Sequence, residues 1–342
     1  MGYGGNLIWT SVFKTLNERD GRKLAPVHLP QLSDLLAGAL RDRAVSLADD
    51  AIYRGNPRLV FPSALAKGRL ARVLDALGRI VLRQPSLRRA FEAWISRRAM
   101  AADSPPGPRL VHVDMRLHSY AEAQDRRRTI WKPQPRAADA VLARLGGGTA
   151  SLDCEFHFTA EEHAAADALV GAHGLSGGFI AIEPETNRDY FGDLRAWPAD
   201  RWAAFAAALR ASYPDLPVAQ LGIGKGPAIP GVADLRGRTS FRIASLLLQR
   251  ARLFVGTESG LMHAANAVGA RALILWGGIT LPEFAGYPTR QRTICKYVAC
   301  APCGHSGWCV NGHACMRTIE VDEVIAAARE ELDRSGAGVA AR

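Results

Sequence analysis

Long apolar runs are missing from this chain of 342 residues. The longest stretch without a charged side chain, Tyr297 to Met316, is rich in Cys, Gly and His, and the next, Ala168 to Ile182, is short and broken by glycines. A membrane-spanning helix needs roughly 20 consecutive apolar residues. No segment is therefore expected to cross a bilayer, no charged-then-apolar leader suggests secretion, and a cytoplasmic protein is expected. Internal repeats and low-complexity tracts are absent as well, which excludes a repeat architecture. Acidic residues are short relative to basic ones: 33 Asp and Glu against 43 Lys and Arg, a formal net charge of +10. Such an excess suits an anionic partner, whether nucleic acid, a phosphorylated small molecule or an anionic membrane surface, and equally suits a plain solvated basic surface. Cysteine is nearly missing outside one segment. Cys154 stands alone, while Cys295, Cys300, Cys303, Cys309 and Cys315 cluster. In a reducing compartment this clustering points to a metal or to packed thiols before disulfides.

What is present is ordinary globular material, with 48% apolar and 22% charged residues, enough to exclude wholesale disorder. The length argues for two domains, each able to bury a core without staples. Short apolar runs recur at Leu110–Val113, Phe179–Ile182, Val218–Leu221, Leu253–Val255 and Ala272–Trp276. Helical patterns follow at Ala199–Ala211, Phe241–Arg250 and Gly260–Val268. This alternation predicts parallel sheets covered by helices. The Leu-Gly-Gly-Gly-Thr-Ala-Ser stretch within Arg144–Ser151 marks a boundary between domains at 1–150 and 151–342. Lys67–Met100 reads as two amphipathic basic helices, with Lys67, Arg69, Arg72, Arg79, Arg83, Arg88, Arg89, Arg97 and Arg98 opposed only by Asp75 and Glu92. Such a pair suits an anionic bilayer, or a core-packed pair with a solvated basic back.

Three segments carry candidate chemistry. Gly2-Tyr3-Gly4-Gly5-Asn6 opens a helical run, and a glycine loop there can bring backbone N–H groups close to an anion. In an α/β domain this loop should follow a strand, so either the first strand is missing or the domain begins abnormally. Leu253–Gly269 reads as a strand, a tight Gly256-Thr257-Glu258-Ser259-Gly260 turn and a helix. Ser259 can cap that helix, and Gly260, Leu261 and His263 stand in its first turn, where free N–H groups favour phosphate. Phe179–Thr186 followed by Arg195-Ala196-Trp197-Pro198 delivers Thr186 and Arg195 to a C-terminal sheet edge, with guanidinium geometry suited to diphosphate. Trp197 and Trp202 are read as core.

Together Val255–Gly269, Trp276-Gly277-Gly278, the Arg-Ala-Trp-Pro segment, the glycine loop and the cysteine tail resemble glycosyltransferase family 9, the heptosyltransferases of bacterial lipopolysaccharide and related glycans. The resemblance implies a GT-B fold, with two Rossmann-like domains facing a cleft. The acceptor would lie on the N-terminal side, near Gly4, Gly5, Arg116 and His118. The nucleotide sugar would lie on the C-terminal side, against Thr186, Arg195, Glu258, Ser259, Gly260, Leu261 and His263. It implies inverting transfer from an ADP-heptose-like donor to a glycan, glycolipid or protein acceptor, with no cofactor required for catalysis. A peripheral place on the inner face of the membrane would fit such an acceptor.

The chain departs from the family in three places. Arg195 stands where lysine is usual, and Glu258 where many members have aspartate. Asn6 stands where the family has an aspartate as base, and an amide can hydrogen-bond a hydroxyl but cannot take its proton. Asp114, at the end of Leu110–Val113, is the other candidate base, with pairing to Arg116 or Arg126 as its structural role. A catalytically impaired binding or accessory protein is therefore the second reading. A metal-stapled nucleic-acid binder is the third, without any finger, RNP or helix-turn-helix pattern behind it, and no nucleic-acid partner is expected. Cys300, Cys303, Cys309 and Cys315, with His305 and His313 nearby, could hold zinc or iron tetrahedrally or pack as reduced thiols.

Overall fold

The computed structural model of the chain describes residues 2–27, 51–59, 86, 109–113, 136–185, 192–303, 309 and 311–339. Asp114, Arg116, His118, Thr186 and His305, and the basic stretch from Lys67 to Met100 except Ser86, lie outside the described residues. Among those described, no helix is long and apolar enough to cross a membrane.

The C-terminal half is built on an all-parallel sheet. Its strands are β3 (Ile180–Ile182), β4 (Val218–Gln220), β5 (Ala233–Asp234), β6 (Leu253–Thr257), β7 (Ala272–Trp276) and β8 (Gln291–Cys295), ordered β5-β4-β3-β6-β7-β8. The strands β3, β4, β6 and β7 are buried throughout, as continuous apolar runs covered on both faces should be. Period-two alternation splits each strand between two cores. Ala181, Ala219, Phe254 and Ile274 belong to one cluster, and Ile180, Val218, Val255 and Leu275 to the other.

The first cluster is covered by α1 (Tyr3–Asp20), α2 (Ala137–Arg144), α3 (Ala160–Ala172), α5 (Phe241–Arg250) and α6 (Gly260–Ala267). The second is covered by α4 (Ala199–Ser212) and α9 (Val321–Val339). Between them the chain also forms short helices α7 (Pro282–Ala285) and α8 (Ala314–Arg317). Trp197 and Trp202 sit in the second core, edge to face with ring centroids 5.1 Å apart, so the core reading of both holds.

The N-terminal half contributes β1 (Leu24–Val27) and β2 (Arg109–His112), paired in parallel. The glycine segment differs from its expected form. Gly4 and Gly5 stand inside the first turn of α1, with Gly2 as N-cap, instead of in a loop. Helix α1 ends at Gly21, whose φ of 64° is the left-handed conformation and whose N–H reaches the Asn17 carbonyl at 2.9 Å. Side chains that do not strongly oppose αL are few, and glycine meets that need at no steric cost.

The helices around the first core are anchored by Arg242. Thr159 caps α3 in a capping box with Glu162, which leaves the Glu162 carboxylate at the helix start, facing α5. Arg242 is 4% exposed and bonds Glu162 through Nε at 2.6 Å and Nη2 at 2.8 Å. It also donates to the carbonyls of Ala51 and His157, and its guanidinium lies over Phe156 and Phe158 at 4.9 and 5.0 Å. One buried cation thus ties α5 to α3 and to two segments before them.

The Arg242 hydrogen bond holds the Glu162 carboxyl at about 2, below its ordinary 4.5. A depressed acid stabilises the fold fully above its unfolded value, and that contribution is lost as pH falls. The urea midpoint should therefore drop between pH 4.5 and 2, and Glu162→Gln should flatten the drop. Arg242→Met should cost about 3 kcal/mol at pH 7, since one partner of a buried pair is left alone. An unchanged acid limb in Glu162→Gln would show that other carboxylates control it.

Candidate active site

Ligands of open α/β sheets bind outside the carboxyl ends of the strands, where the strand order reverses. Here that place lies between β3 and β6, and both strands bring acidic residues to it. Strand β3 ends at Ile182, and the next residue, Glu183, donates its N–H to the Val255 carbonyl at 3.0 Å. Strand β6 ends in the turn Glu258-Ser259 before α6. Ser259 has extended backbone and accepts from the Leu261 and Met262 N–H groups at 3.1 and 3.3 Å, while its hydroxyl donates to the Glu183 carboxylate. Two amides expected to face a phosphate are thus partly engaged by their own cap. The helix dipole still leaves a partial positive charge at this N-terminus.

Glu258 is buried at 4% exposure. Its Oε1 accepts from Arg195 Nη2 at 2.9 Å and from Thr280 Oγ1 at 3.1 Å, and Arg195 Nη1 reaches the Glu258 carbonyl at 3.3 Å. Arg195 closes the 3₁₀ turn Gly192–Arg195. The structure therefore brings Arg195 and Glu258 together, as a pair, instead of leaving the arginine free across the cleft. The other carboxylate oxygen, Glu258 Oε2, has no partner among the described residues. Burial raises this carboxyl and the Arg195 charge opposes the rise. An orphaned buried acceptor of this kind is costly unless a donor reaches it, and a sugar hydroxyl or a second guanidinium proton would do so.

Among the described residues, no cation pairs with Glu183. Burial raises its carboxyl to about 8, against the Ser259 hydroxyl bond that favours the ionised form. At neutral pH it is mostly a neutral acid. Two residues on, Glu185 does the opposite. Its carboxylate accepts N–H bonds from Gly224 at 2.9 Å, Lys225 at 3.4 Å and Gly226 at 2.7 Å, and pairs with Arg236 at 3.2 Å. The backbone bonds hold it below the ordinary value in spite of burial. Glu185 thus ties the end of β3 to the glycine-rich loop after β4.

His263, one turn into α6, is buried and faces α1. A Cβ at residue 4 would come within 2.5 Å of His263 Cδ2 and 3.0 Å of Nε2, so Gly4 is what permits the approach. His263 Nδ1 lies 2.6 Å from the Tyr287 hydroxyl. Burial, with Arg195 nearby, lowers the imidazole to about 3, so His263 is neutral. Asn6, also in the first turns of α1, is buried and accepts from the Tyr53 hydroxyl at 3.0 Å.

Cys300, Cys303, Cys309 and Cys315 line one cavity with His313, against Gly278 and Leu194. Among the described residues no group of three or more His, Cys, Asp or Glu side chains is arranged to hold a metal ion.

The family model of glycosyltransferase family 9 (heptosyltransferase) matches residues 225–312, the segment that carries β6, the capped turn, α6 and three of the clustered cysteines lining that cavity. The resemblance is to glycosyltransferase family 9. No curated protein matches the chain in sequence. Among solved structures, a family 9 glycosyltransferase from Veillonella parvula DSM 2008 is 14% identical with a TM-score of 0.59, covering 98% of this chain and 95% of its own. ADP-heptose lipopolysaccharide heptosyltransferase II of E. coli is 15% identical with a TM-score of 0.55, covering 96% of each. The fold is thus that of the GT-B glycosyltransferases, as the sequence resemblance implied.

Glu183 gives this site a pH response of its own. Its folded value of about 8 lies above its ordinary 4.5, so between these limits the native state holds a proton that the unfolded chain has released. Stability therefore falls as pH rises from 4.5 to 8. The urea midpoint should decline across that window, and Glu183→Gln should remove most of the decline. A variant that declines as the parent does would refute the assignment.

Proposed function

We propose that this chain is an inverting glycosyltransferase moving a sugar, most simply a heptose, from an ADP-heptose-like donor to a bacterial surface glycan, lipopolysaccharide-type or protein acceptor. The observation that carries the reading is the family-matched turn Gly256–Gly260, placed at the reversal of the sheet, with α6 behind it and the Arg195–Glu258 pair beside it. In the transfer an acceptor oxygen attacks the anomeric carbon, and the bond from that carbon to the diphosphate breaks. The leaving diphosphate gains charge, which a helix N-terminus and a guanidinium can stabilise where a metal is not used. Arg195 would turn part of its fork from Glu258 to the diphosphate, and the unpartnered Glu258 Oε2 would take a sugar hydroxyl. Leu261 and His263 complete the donor side.

The acceptor would lie toward Gly4 and Gly5, with Arg116 and His118 on the same side, and the hydroxyl proton would pass to Asp114. Asn6 serves on this reading as a hydrogen-bonding group. The division at 1–150 and 151–342, and a peripheral place at an anionic membrane surface, belong to the same proposal. Calorimetry should show an adenine nucleotide bound with a diphosphate requirement, and ADP-heptose should turn over with a suitable acceptor. Arg195→Ala should weaken nucleotide binding by about tenfold or more, as lost charged hydrogen bonds do, and Arg195→Lys should keep most of it. Asp114→Asn should bind the nucleotide and lose turnover. Nucleotide binding without turnover in the parent would favour the accessory-protein reading, and no nucleotide binding would end both.

The cysteine tail fits a structural zinc or iron in donor chemistry, since Cys300, Cys303, Cys309 and Cys315 share one cavity and thiolates bind either metal. On this proposal the metal staples the tail and takes no part in transfer. Protein purified without chelator should then carry near-stoichiometric zinc or iron by elemental analysis. Metal-free protein of equal stability would leave the cysteines as packed thiols.

A further inference from the structure

Behind His263, two further polar groups of the first core extend a hydrogen-bonded chain. Cys154 Sγ lies 3.2 Å from the Tyr287 hydroxyl, and that hydroxyl lies 2.6 Å from His263 Nδ1. All three residues are buried. Among the described residues, the hydrogen bonds of the His263 ring involve Nδ1 alone, and the ring's other edge, Cδ2 and Nε2, lies against Gly4. The chain therefore runs from the core to the junction of α1 and α6.

The protons in this chain can be placed. Burial pushes the Cys154 thiol up to about 12 and the Tyr287 phenol well above its ordinary value, so both keep their hydrogens. His263 is held neutral by the same burial, so one ring nitrogen is bare and the other carries hydrogen. Tyr287 has a single proton and two neighbours, a thiol sulfur and an imidazole nitrogen. Sulfur is a weak acceptor, and the shorter contact is to nitrogen. The phenol proton therefore goes to Nδ1, and the imidazole hydrogen is left on Nε2; the thiol, which also bonds Thr10, does not compete for the phenol proton.

We propose that Tyr287, supported by Cys154, is a positioning residue that fixes His263 in the neutral Nε2–H tautomer, so that the ring presents an uncharged N–H to a diphosphate oxygen of the donor. The proposal rests on the nucleotide-sugar reading for its ligand but not for the tautomer. It also gives His263 a definite role: a donor of a hydrogen bond, not a proton acceptor. A neutral ring suits this place because Arg195 already supplies charge, and a donor whose tautomer is preset needs no reorganisation when ligand arrives.

The experiment is nitrogen NMR of the full chain with labelled histidine at pH 7, the His263 signals assigned by their loss in His263→Gln, together with ADP titration. The parent should show a bare Nδ1 and a protonated Nε2. Tyr287→Phe should mix the tautomers and weaken ADP binding about three- to tenfold, as the loss of one oriented hydrogen bond does. Cys154→Ser, which replaces one donor by another, should retain tautomer and affinity. A parent ring protonated on Nδ1 or on both nitrogens would overturn the proposal, as would a Tyr287→Phe variant with unchanged tautomer, or with mixed tautomers and unchanged ADP affinity. If the parent binds no ADP, the nucleotide reading fails by itself, and the parent and Tyr287→Phe tautomers still decide the relay.

Discussion

The close crossing of α1 over the first turn of α6 is the constraint on which the rest of the site depends. It exists because residue 4 has no side chain: any Cβ there would lie 2.5 Å from the His263 ring. With the helices this close, Tyr3 stacks on Phe241 with ring centroids 4.3 Å apart, and Asn6 is carried into the core to meet Tyr53. The same approach buries His263, which is why the imidazole is neutral and why its partner on the far side matters. A small residue in one helix thus sets the ionisation of a ring in another.

Charge around the α6 N-terminus is arranged by two different devices. Glu258 is compensated by Arg195 and Thr280, while Glu183 is neutralised by holding its proton, with the Ser259 hydroxyl against it. Two ionised carboxylates beside a helix N-terminus would occupy the same favourable potential that an incoming phosphate needs. With one acid paired and the other protonated, the helix end keeps its attraction for an anion. Glu185 is ionised, but its charge is spent on the Gly224–Gly226 amides and Arg236. It stiffens the sheet edge without adding an open negative charge.

The parts of this structure that were legible in the sequence are those specified by neighbours along the chain. Buried parallel strands need continuous apolar residues, so β3, β4, β6 and β7 announce themselves, and Ser259 caps α6 through bonds only two and three residues away. Edge strand β8, Gln-Arg-Thr-Ile-Cys, shows no such run and is a strand because β7 offers it a ladder. Strand β1 is likewise defined by its parallel pairing with β2, where Leu24 stands opposite Arg109. The site divides in the same way. Arg195, Glu258 and His263 sit in recognisable local patterns. Tyr287 and Cys154 do not, because their contacts span 24 and 133 positions, and only the fold brings them together. The glycine segment reads as a loop because a glycine pair usually signals a turn, whereas here packing against α6 selects glycine within a helix.

The sugar transfer proposed for this chain would place one demand that Asn6, His263 and Glu183 do not meet: some group must take the acceptor's proton. Asn6 lacks the capacity, being an amide with its oxygen already bonded to Tyr53. His263 sits near enough to α1 but is held near 3 by burial and by Arg195, so it is too weak a base at neutral pH. Glu183 has a value suited to proton exchange near neutrality, yet its carboxylate is turned to the Ser259 cap on the donor side. Ionising it would place negative charge beside the helix end that a diphosphate requires. If the chain transfers sugar, none of these three groups takes the acceptor's proton, and the base of the proposed reaction is a group other than Asn6, His263 and Glu183. The donor half would then bind and polarise without exchanging protons, and the two halves would divide the work along the α1–α6 crossing.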